Sequence, residues 1–373
     1  MWVFKVDLGK DPVTGKRRRR TITFAAKGAR AAQAHASWLV TELGADQPVT
    51  TRATVEDLFA EFLTFSESRG RAPTTLHEYR RAISTFFLPA IGSVRLSELT
   101  VRHLDQLYTA ALSADPPLSA SSVRKYNAIL KAALNQAIRW EWLETNPAMK
   151  VTLPSLPATQ FEAPTPEDVR RIIRACQEAD EQLGVFVLLA AVTGCRRGEI
   201  AALRFCDVED QGLAVRASVY SAGSERGIKG TKSGRERWVM LDPQVRIILE
   251  RWMELLRSHA ADFDVTVGEE SFLFSNRPDG SFPVNIDTVS AKFRRVADEL
   301  GLRHIHLHSL RHFAATELLA AGVNARDAAD RLGHADPALT LRVYAHATDE
   351  RQRHAATVGA RVLEGLDAPP PAS

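Results

Sequence analysis

Cysteines are scarce in this sequence and long apolar runs are missing, and each absence narrows what the protein can be. The 373 residues include three cysteines, Cys176, Cys195 and Cys206. An odd number without C-x-x-C spacing argues against a disulfide framework and a zinc knuckle, so we expect three buried thiols. No stretch approaches the roughly 18–20 apolar residues of a membrane span, and the start MWVFKVDLGK lacks a secretory core segment. We therefore expect a cytoplasmic protein that is not bound to a membrane.

Charges of the two signs nearly balance over the whole chain, but the basic residues are concentrated near its start. The formal net charge is +3, whereas residues 1–50 hold nine Lys or Arg against four Asp or Glu, a local excess of five. The composition, 45% hydrophobic and 25% charged, is that of a globular protein. A chain of this length predicts two or three domains.

Residues 1–46 are predicted to form a small basic sheet followed by a helix. The alternation in WVFKVDL and the segment RRRRTITF predict two strands, separated by turn residues. Four apolar residues then recur at helical spacing: Ala32, Ala36, Leu39 and Leu43. The basic run consists of Lys16, Arg17, Arg18, Arg19 and Arg20. It fits a charged strand edge and a strand that follows DNA phosphates equally well.

Residues 52–150 are predicted to form a four-helix domain. Thr54 and Asp57 have the spacing of a capping box at its start, and four apolar stripes of helical period follow. Five basic residues lie off the stripes and could contact phosphates: Arg80, Arg81, Arg124, Lys125 and Lys131. Of these, Arg80, Arg124 and Lys125 are the candidate DNA-binding residues. Residues 151–164 hold three prolines without any period, which is the composition of a linker.

Residues 165–364 are predicted to form a mixed, mainly helical domain with a small β-sheet, and residues 365–373 a disordered tail. Thr165 and Pro166 have the pattern of a helix start. We expect helices over 166–178 and 182–193, strands between 213 and 241 that include a hairpin with its turn at 233–235, and further helices after residue 285. The expected fold class is α+β, mainly α.

The stretch HLHSLRH at residues 306–312 poses a choice between a metal site and a phosphate site. His308 and His312 are four residues apart and would share one helix face. A metalloprotease pattern requires Glu beside the first histidine, where this chain has Ser309. Arg311 would also repel a cation. We therefore expect neither a metal nor a cofactor.

Two arginines could instead bind a phosphate. In TGCRRGEIAALR at residues 193–204, Gly194 permits a tight turn and Arg196 begins a helix. Together with Arg311 it offers two guanidinium forks for the non-bridging oxygens of a phosphodiester. The alternative for Arg196 is a surface ion pair with Glu199 or Asp207.

The segment LGHADPALTLRVYAHA at residues 332–347 offers a nucleophile. Asp336 and Pro337 have the pattern of a helix start, and the helix would carry Tyr344. A tyrosine can form a covalent phosphoryl intermediate, but its ordinary pKa near ~10 requires a cationic pocket. The alternative is a buried aromatic residue on an amphipathic helix.

Taken in order and spacing, TGCRRGE, HSLRHFAATELLAAG and LGHADPALTLRVYAH resemble the motifs of the tyrosine recombinases, specifically of phage-type integrases. The resemblance covers the whole chain. Residues 1–46 resemble the arm-site DNA-binding domain, 52–150 the core-binding domain and 165–364 the catalytic domain. Integrases have another strand before the one at Trp2, so the resemblance implies an arm domain that is truncated.

The resemblance implies six catalytic residues: Arg196, Lys232, His308, Arg311, His334 and Tyr344. Tyr344 would attack the scissile phosphate and leave a 3′-phosphotyrosyl link and a free 5′-hydroxyl. Arg196 and Arg311 would hold the non-bridging oxygens. Glu199 resembles an acid of the family that orients Arg196.

Proton transfers are implied for the remaining members of the set. Lys232, in TKSGRERWVML, would protonate the departing 5′ oxygen, with Lys229 as the competing candidate. His308 would assist proton transfer at the tyrosine, and His334 would donate a hydrogen bond to the phosphate. His312 would support the site by packing or by a hydrogen bond.

The function that the resemblance implies is site-specific recombination, which integrates or excises a phage or mobile element. The expected partners are double-stranded DNA attachment sites, with a homotetramer on two DNA sites and an excision factor or host DNA-bending protein as further candidates. Two alternatives stay open, a catalytically inactive DNA-binding remnant and a topoisomerase-like enzyme. A metal-dependent nuclease would need a carboxylate cluster that the sequence lacks.

Overall fold

The computed structural model describes residues 2–10, 17–24, 28, 31, 33, 52–156, 164–230 and 236–333. Over these ranges the chain is mainly helical with short antiparallel strands, which confirms the α+β, mainly α class. It divides into two compact units, Met1–Thr159 and Gln160–Ser373. No helix within the described ranges is long and apolar enough to cross a membrane.

The first unit begins with the predicted pair of basic strands. Strands β1 (Trp2–Lys10) and β2 (Arg17–Phe24) are antiparallel, with Trp2 opposite Phe24 and Lys10 opposite Arg17. The register shifts between Asp7 and Lys10. Most of the helix predicted over Ala32 to Leu43 lies outside the described residues.

A group of helices forms the described part of the first unit from residue 52 onward, as the four apolar stripes predicted. These are α1 (Val55–Ser68), α2 (Pro73–Ala82), the one-turn α3 (Leu88–Ile91), α4 (Val101–Leu112) and α5 (Ala120–Arg139). A π-helical turn at Ile83–Phe87 joins α2 to α3. Thr54 and Asp57 form the predicted capping box at the start of α1. The stripes meet in a core that includes Phe59, Tyr108 and Leu130.

The second unit opens with three helices in sequence: α6 (Pro166–Ala179), α7 (Glu181–Thr193) and the short α8 (Arg197–Ala201). Thr165 caps α6 through the backbone N–H of Asp168, as its sequence predicted. Helix α7 is apolar on nearly all sides and is buried along most of its length, because it packs against both α6 and a later helix.

Short strands follow and form two separate antiparallel sheets. Strands β3 (Val208–Glu209), β4 (Gly212–Val215) and β7 (Arg237–Met240) make one sheet in the order β3-β4-β7. Strands β5 (Ala217–Ala222) and β6 (Glu225–Gly230) make the other. Among the described residues β6 pairs with β5 and β7 pairs with β4, whereas the turn predicted at 233–235 lies outside the described residues.

Four helices complete the described part of the second unit. They are α9 (Pro243–Ala261), α10 (Ile286–Glu299), α11 (Leu307–Ala320) and α12 (Ala325–Leu332). The last three were expected, but α9 was not. Cys176 and Cys195 are buried as expected, whereas Cys206 is only half-buried.

Candidate active site

The turn between α7 and α8 places Arg196 beside the end of α12. Gly194 ends α7 with a left-handed backbone (φ 67°). A Cβ added there would lie 2.3 Å from Cδ2 of Leu332 and 3.2 Å from Cβ of Ala314. Only glycine satisfies both the backbone angle and the close packing, which explains Gly194, the first glycine of TGCRRGE. Arg196 follows as the residue before α8, in extended conformation.

Arg196 is held by the carboxylate of Glu199. Its Nη1 donates to Oε1 of Glu199 at 2.8 Å, its backbone N–H donates to Oε2 at 2.8 Å, and its Nη2 donates to the carbonyl oxygen of Gly333 at 3.2 Å. The ion pair with Glu199 exists, but it is no surface pair, since the Glu199 side chain is 1% exposed. Asp207 pairs with Arg216 instead.

Arg311, on α11, lies buried next to Arg196. The residue is 3% exposed, and its Nη1 donates to the carbonyl oxygen of Gly194 at 2.7 Å. Its Nη2 is buried and has no hydrogen-bond partner among the residues described. Burial, and after it the charge of Arg196, lowers the pKa of Arg311 to about 10. The site therefore brings two guanidinium groups together and leaves Nη2 of Arg311 as a buried donor without a partner among the described residues.

Two histidines border this pair on the same helix. His308 lies one turn before Arg311, and its ring meets that of His312 edge to face, with centroids 4.7 Å apart. His308 is exposed, although the protein around it removes part of its hydration. Burial, followed by the charges of Arg311 and Arg196, holds the pKa of His308 below its ordinary value. Burial and then His308 lower the pKa of His312 to about 4.

The two earlier histidines of this stretch are His304 and His306. The backbone N–H of His306 donates to Oγ of Ser309 at 3.0 Å, so His306 stands at the start of α11. His304 is exposed. Across the described ranges, no group of three His, Cys, Asp or Glu side chains could hold a metal ion.

Arg237, on β7, was missed by the sequence analysis. Its Nη2 donates to Oε2 of Glu199 at 2.6 Å and to Sγ of Cys195 at 3.3 Å, and its Nε donates to the carbonyl oxygen of Arg331 at 3.0 Å. Burial alone raises the pKa of Glu199, but the hydrogen bond and charge of Arg237, together with Arg196, outweigh it and hold the pKa of Glu199 below its ordinary value.

A signal for Arg237 was present in the alternation of its strand. Val239 and Leu241 share its side of the chain and are buried, with exposures of 0% and 6%. A charged residue on the buried side of a strand needs a buried partner. Without the fold, the sequence could not say that this partner is Glu199.

Part of the predicted catalytic set lies beyond what the structure describes. Lys232, His334 and Tyr344 are outside the described residues, as is Lys16. Lys229, the competitor of Lys232, lies on β6 with its Nζ 5.6 Å from the ring centroid of Tyr220.

For the basic run, the structure describes the backbone of β2, which contains Arg17, Arg18, Arg19 and Arg20. The other three DNA-contact candidates have protein partners. Arg80 pairs with Glu67 and Lys125 with Glu78, and Nε of Arg124 donates to the carbonyl oxygen of Pro154 at 2.8 Å.

Further basic residues of the first unit line a cavity that the sequence analysis did not identify. The cavity has a volume of about 600 Å³ and lies between α1, α2 and α5. Its wall includes Arg69, Arg71 and Arg139. Their charges were visible in the sequence, but their convergence was not, since Arg69 and Arg71 come from the connection between α1 and α2 and Arg139 from the end of α5, far apart in the chain.

Comparisons with known proteins agree along most of the chain. Residues 164–351 match the model of the phage integrase family, and residues 54–153 match that of the phage integrase SAM-like domain. Tyrosine recombinase XerA of Pyrococcus horikoshii is 25% identical over 301 residues, which make up 80% of this chain and 92% of XerA.

Solved structures with a similar fold include the Tn1549 transposon integrase in complex with transposon right end DNA, with a TM-score of 0.68 and 21% identity. That match covers 83% of this chain and all of the other. A lambda integrase tetramer bound to a Holliday junction has a TM-score of 0.62 at 18% identity, over 90% of each chain. At these identities the likeness concerns the fold.

Proposed function

The chain belongs to the phage integrase family and is a site-specific recombinase, and we propose that it cuts and rejoins DNA through a phosphotyrosyl intermediate formed on Tyr344 beside Arg196 and Arg311. The proposal needs a site that binds a phosphodiester more tightly as its charge grows during attack. The junction of α7, α8 and α11 supports the proposal, because it brings Arg196 and Arg311 together in the second unit.

The observation that carries the proposal is the buried guanidinium of Arg311. Its Nη2 has no hydrogen-bond partner in the described part of the chain, and Arg196 lies close enough to lower its pKa. A buried donor without an acceptor costs free energy, and two adjacent cations repel each other. An anion with several oxygens relieves both costs, and a phosphate matches the geometry of two guanidinium forks.

The chemistry proposed for the site is transesterification. The phenolic oxygen of Tyr344 attacks phosphorus, and the bond from phosphorus to the 5′ oxygen breaks, which leaves a 3′-phosphotyrosyl link and a free 5′-hydroxyl. Negative charge builds on the two non-bridging oxygens, where Arg196 and Arg311 stabilise it. Religation reverses the step with the 5′-hydroxyl of another strand, so no nucleotide triphosphate is consumed.

Proton transfers are assigned to the side chains around this clamp. The low pKa of His308 keeps its imidazole neutral at pH 7, which suits a group that accepts the tyrosine proton. We assign protonation of the departing 5′ oxygen to Lys232 rather than Lys229, because Lys229 contacts the Tyr220 ring. His334 would donate a hydrogen bond to the phosphate.

Double-stranded DNA is the proposed partner of both units. Residues 1–46 would form an arm-type DNA-binding domain, 52–150 a core-binding domain and 165–364 the catalytic domain. The ion pairs of Arg80 and Lys125 leave these residues available, because exposed pairs contribute only about 0–1 kcal/mol and can exchange for phosphate contacts. A tetramer on two DNA sites is proposed from the fold shared with lambda integrase.

The test is formation of a covalent protein–DNA adduct on a nicked duplex that traps the intermediate, in the presence of EDTA. The wild-type chain is expected to form the adduct. Tyr344→Phe should bind the same DNA but form none, because the variant has no nucleophile. Tyr220→Phe is the matched control, since it also removes one tyrosine hydroxyl from the second unit. In the wild-type chain this hydroxyl donates to Oε1 of Glu225 at 3.0 Å.

Adducts that persist in Tyr344→Phe would assign the nucleophile to another residue. An adduct that the wild-type chain forms and reseals only on its own strand, without joining a second duplex, would favour the topoisomerase-like alternative. Absence of any adduct in the wild-type chain would contradict the proposed chemistry.

A further inference from the structure

We propose that Arg237 is a positioning residue, which fixes the C-terminal end of α12, and with it the segment that starts at His334 and carries Tyr344, against the arginine pair. This inference rests on the proposed function. It assigns a role to a side chain on β7 that is outside the six catalytic residues.

The guanidinium of Arg237 joins three elements of the second unit. Its Nη2 reaches Oε2 of Glu199 on α8 at 2.6 Å, and its Nε reaches the carbonyl oxygen of Arg331 on α12 at 3.0 Å. The side chain itself starts from β7 and is 10% exposed. The fork thus links β7, α8 and α12 through bonds from two of its nitrogens. A lysine ammonium is a point charge on a flexible stem and lacks this planar fork.

Both arginines that bond Glu199 also donate hydrogen bonds to carbonyl oxygens at the end of α12. Arg237 holds the carbonyl oxygen of Arg331, while Nη2 of Arg196 holds that of Gly333 at 3.2 Å. The last carbonyls of a helix lack partners within the helix and carry partial negative charge. Two guanidinium groups bridged by one buried carboxylate are therefore complementary to this helix end.

Gly333 brings the chain into direct contact with Arg237. It ends α12 in the left-handed region (φ 70°), and a Cβ added there would lie 2.8 Å from Nη1 of Arg237 and 3.1 Å from its Cζ. The backbone lies directly against the guanidinium plane. The next residue is His334, and Tyr344 follows eleven positions after Gly333.

The position of this helix end relative to Arg196 bears directly on catalysis. The nucleophile must reach a phosphate held by Arg196 and Arg311, and a displacement of about 1 Å far from the reacting atoms can cost roughly 100-fold in rate. Because Glu199 bonds both Arg196 and Arg237, the phosphate clamp and the anchor of α12 are set by one carboxylate. An ion pair that only stabilised the fold would not need to connect Arg196 with the residue that holds the end of α12.

The first test compares the rate of adduct formation by the full chain with Arg237→Lys. This substitution keeps a positive charge beside Glu199 but cannot bond Glu199 and Arg331 in the same geometry. We expect a rate loss of about 100-fold, with DNA affinity close to wild type and a second unit that is still folded at the assay temperature. Arg216→Lys is the matched control, because Arg216 pairs with Asp207, Glu209 and Glu236 but contacts neither arginine of the clamp.

A second readout separates the tyrosine side of the reaction from the leaving group. A duplex with sulfur in place of the bridging 5′ oxygen has a thiolate leaving group that needs no proton donor, so Lys232→Ala should recover rate on it. Arg237→Lys should stay slow on this substrate, since its defect lies in delivery of the nucleophile. If Arg237→Lys recovered its rate on this substrate, the inference would be overturned, because Arg237 would then act on the leaving group alone.

Gly333→Ala perturbs the same contact from the helix side without removing a charge, and serves if Arg237→Lys does not fold. It should show the same slow rate on both substrates. A wild-type rate in either folded variant, or a loss explained by DNA affinity, would overturn the role of Arg237. These outcomes leave the wild-type adduct intact, whereas absence of that adduct would instead contradict the proposed function.

Discussion

Glu199→Gln should destabilise the second unit strongly, because one buried carboxylate accepts three hydrogen bonds. Oε1 accepts from Nη1 of Arg196, and Oε2 accepts from the backbone of Arg196 and from Nη2 of Arg237. A glutamine has one oxygen, so whichever way its amide points, its NH₂ group meets at least one donor. Hydrogen bonds to charged groups contribute about 1.5–3 kcal/mol each. Losing one or two, together with the countercharge of Arg237, gives roughly 3–5 kcal/mol, as expected when a buried pair is broken.

The assay is thermal unfolding, followed at the transition of the second unit. At about 2–4 °C per kcal/mol for a unit of this size, the melting temperature should fall by roughly 6–20 °C. Glu270→Gln is the matched control, because Glu270 pairs with Arg204 at a side-chain exposure of 76%. Such an exposed pair contributes at most about 1 kcal/mol.

The dependence on pH gives the prediction a sign. The folded-state pKa of Glu199 is depressed, so its stabilisation is fully present above the ordinary carboxyl pKa and is lost as pH falls through the lower folded value. The difference in melting temperature between wild type and Glu199→Gln should therefore be largest at pH 7. It should become smaller only at acid pH, below the ordinary carboxyl pKa. A melting temperature at pH 7 that matches the Glu270→Gln control would refute the reasoning.

Two further predictions concern catalysis and DNA binding. Since the pKa of His308 lies below its ordinary value, the adduct rate should hold at pH 7 and fall as acid protonates the ring, and His308→Asn should lower the rate and abolish that acid limb in a pH–rate profile. An unchanged acid limb in the variant would assign it to another group. Replacing Arg17 to Arg20 with glutamine should weaken DNA binding and flatten its salt dependence by about one unit of slope for each phosphate that these side chains neutralise. An unchanged salt dependence would indicate that these arginines form a charged strand edge that contacts no phosphates.

Local chemistry explains why the helices could be predicted so closely. The capping box at Thr54 and the helix start at Thr165 depend on residues three positions apart, and the apolar stripes depend on neighbouring turns. Such patterns leave their full signature in the sequence. Helix α9 was not predicted, although its start at Asp242 and Pro243 follows the same rule.

Strand pairing could not be predicted with the same success. The strands before and after residues 231–235 are close in sequence, which suggested a hairpin, yet β6 pairs with β5 and β7 with β4. Partner choice in a sheet depends on which surfaces are buried against the helices, and a sequence window of a few residues does not contain that information.

By itself the sequence determined the fold class, most of the helices and the two arginines, Arg196 and Arg311, that the fold brings together, because the motifs that carry them are short and contiguous. Only the tertiary structure decided that Glu199 is buried, that Arg311 has a buried donor left over, and that Arg237 reaches both Glu199 and the end of α12. These hydrogen bonds join residues 38 and 94 positions apart. Their energies come from desolvation and from the mutual geometry of charges, which exist only once the distant segments have packed together.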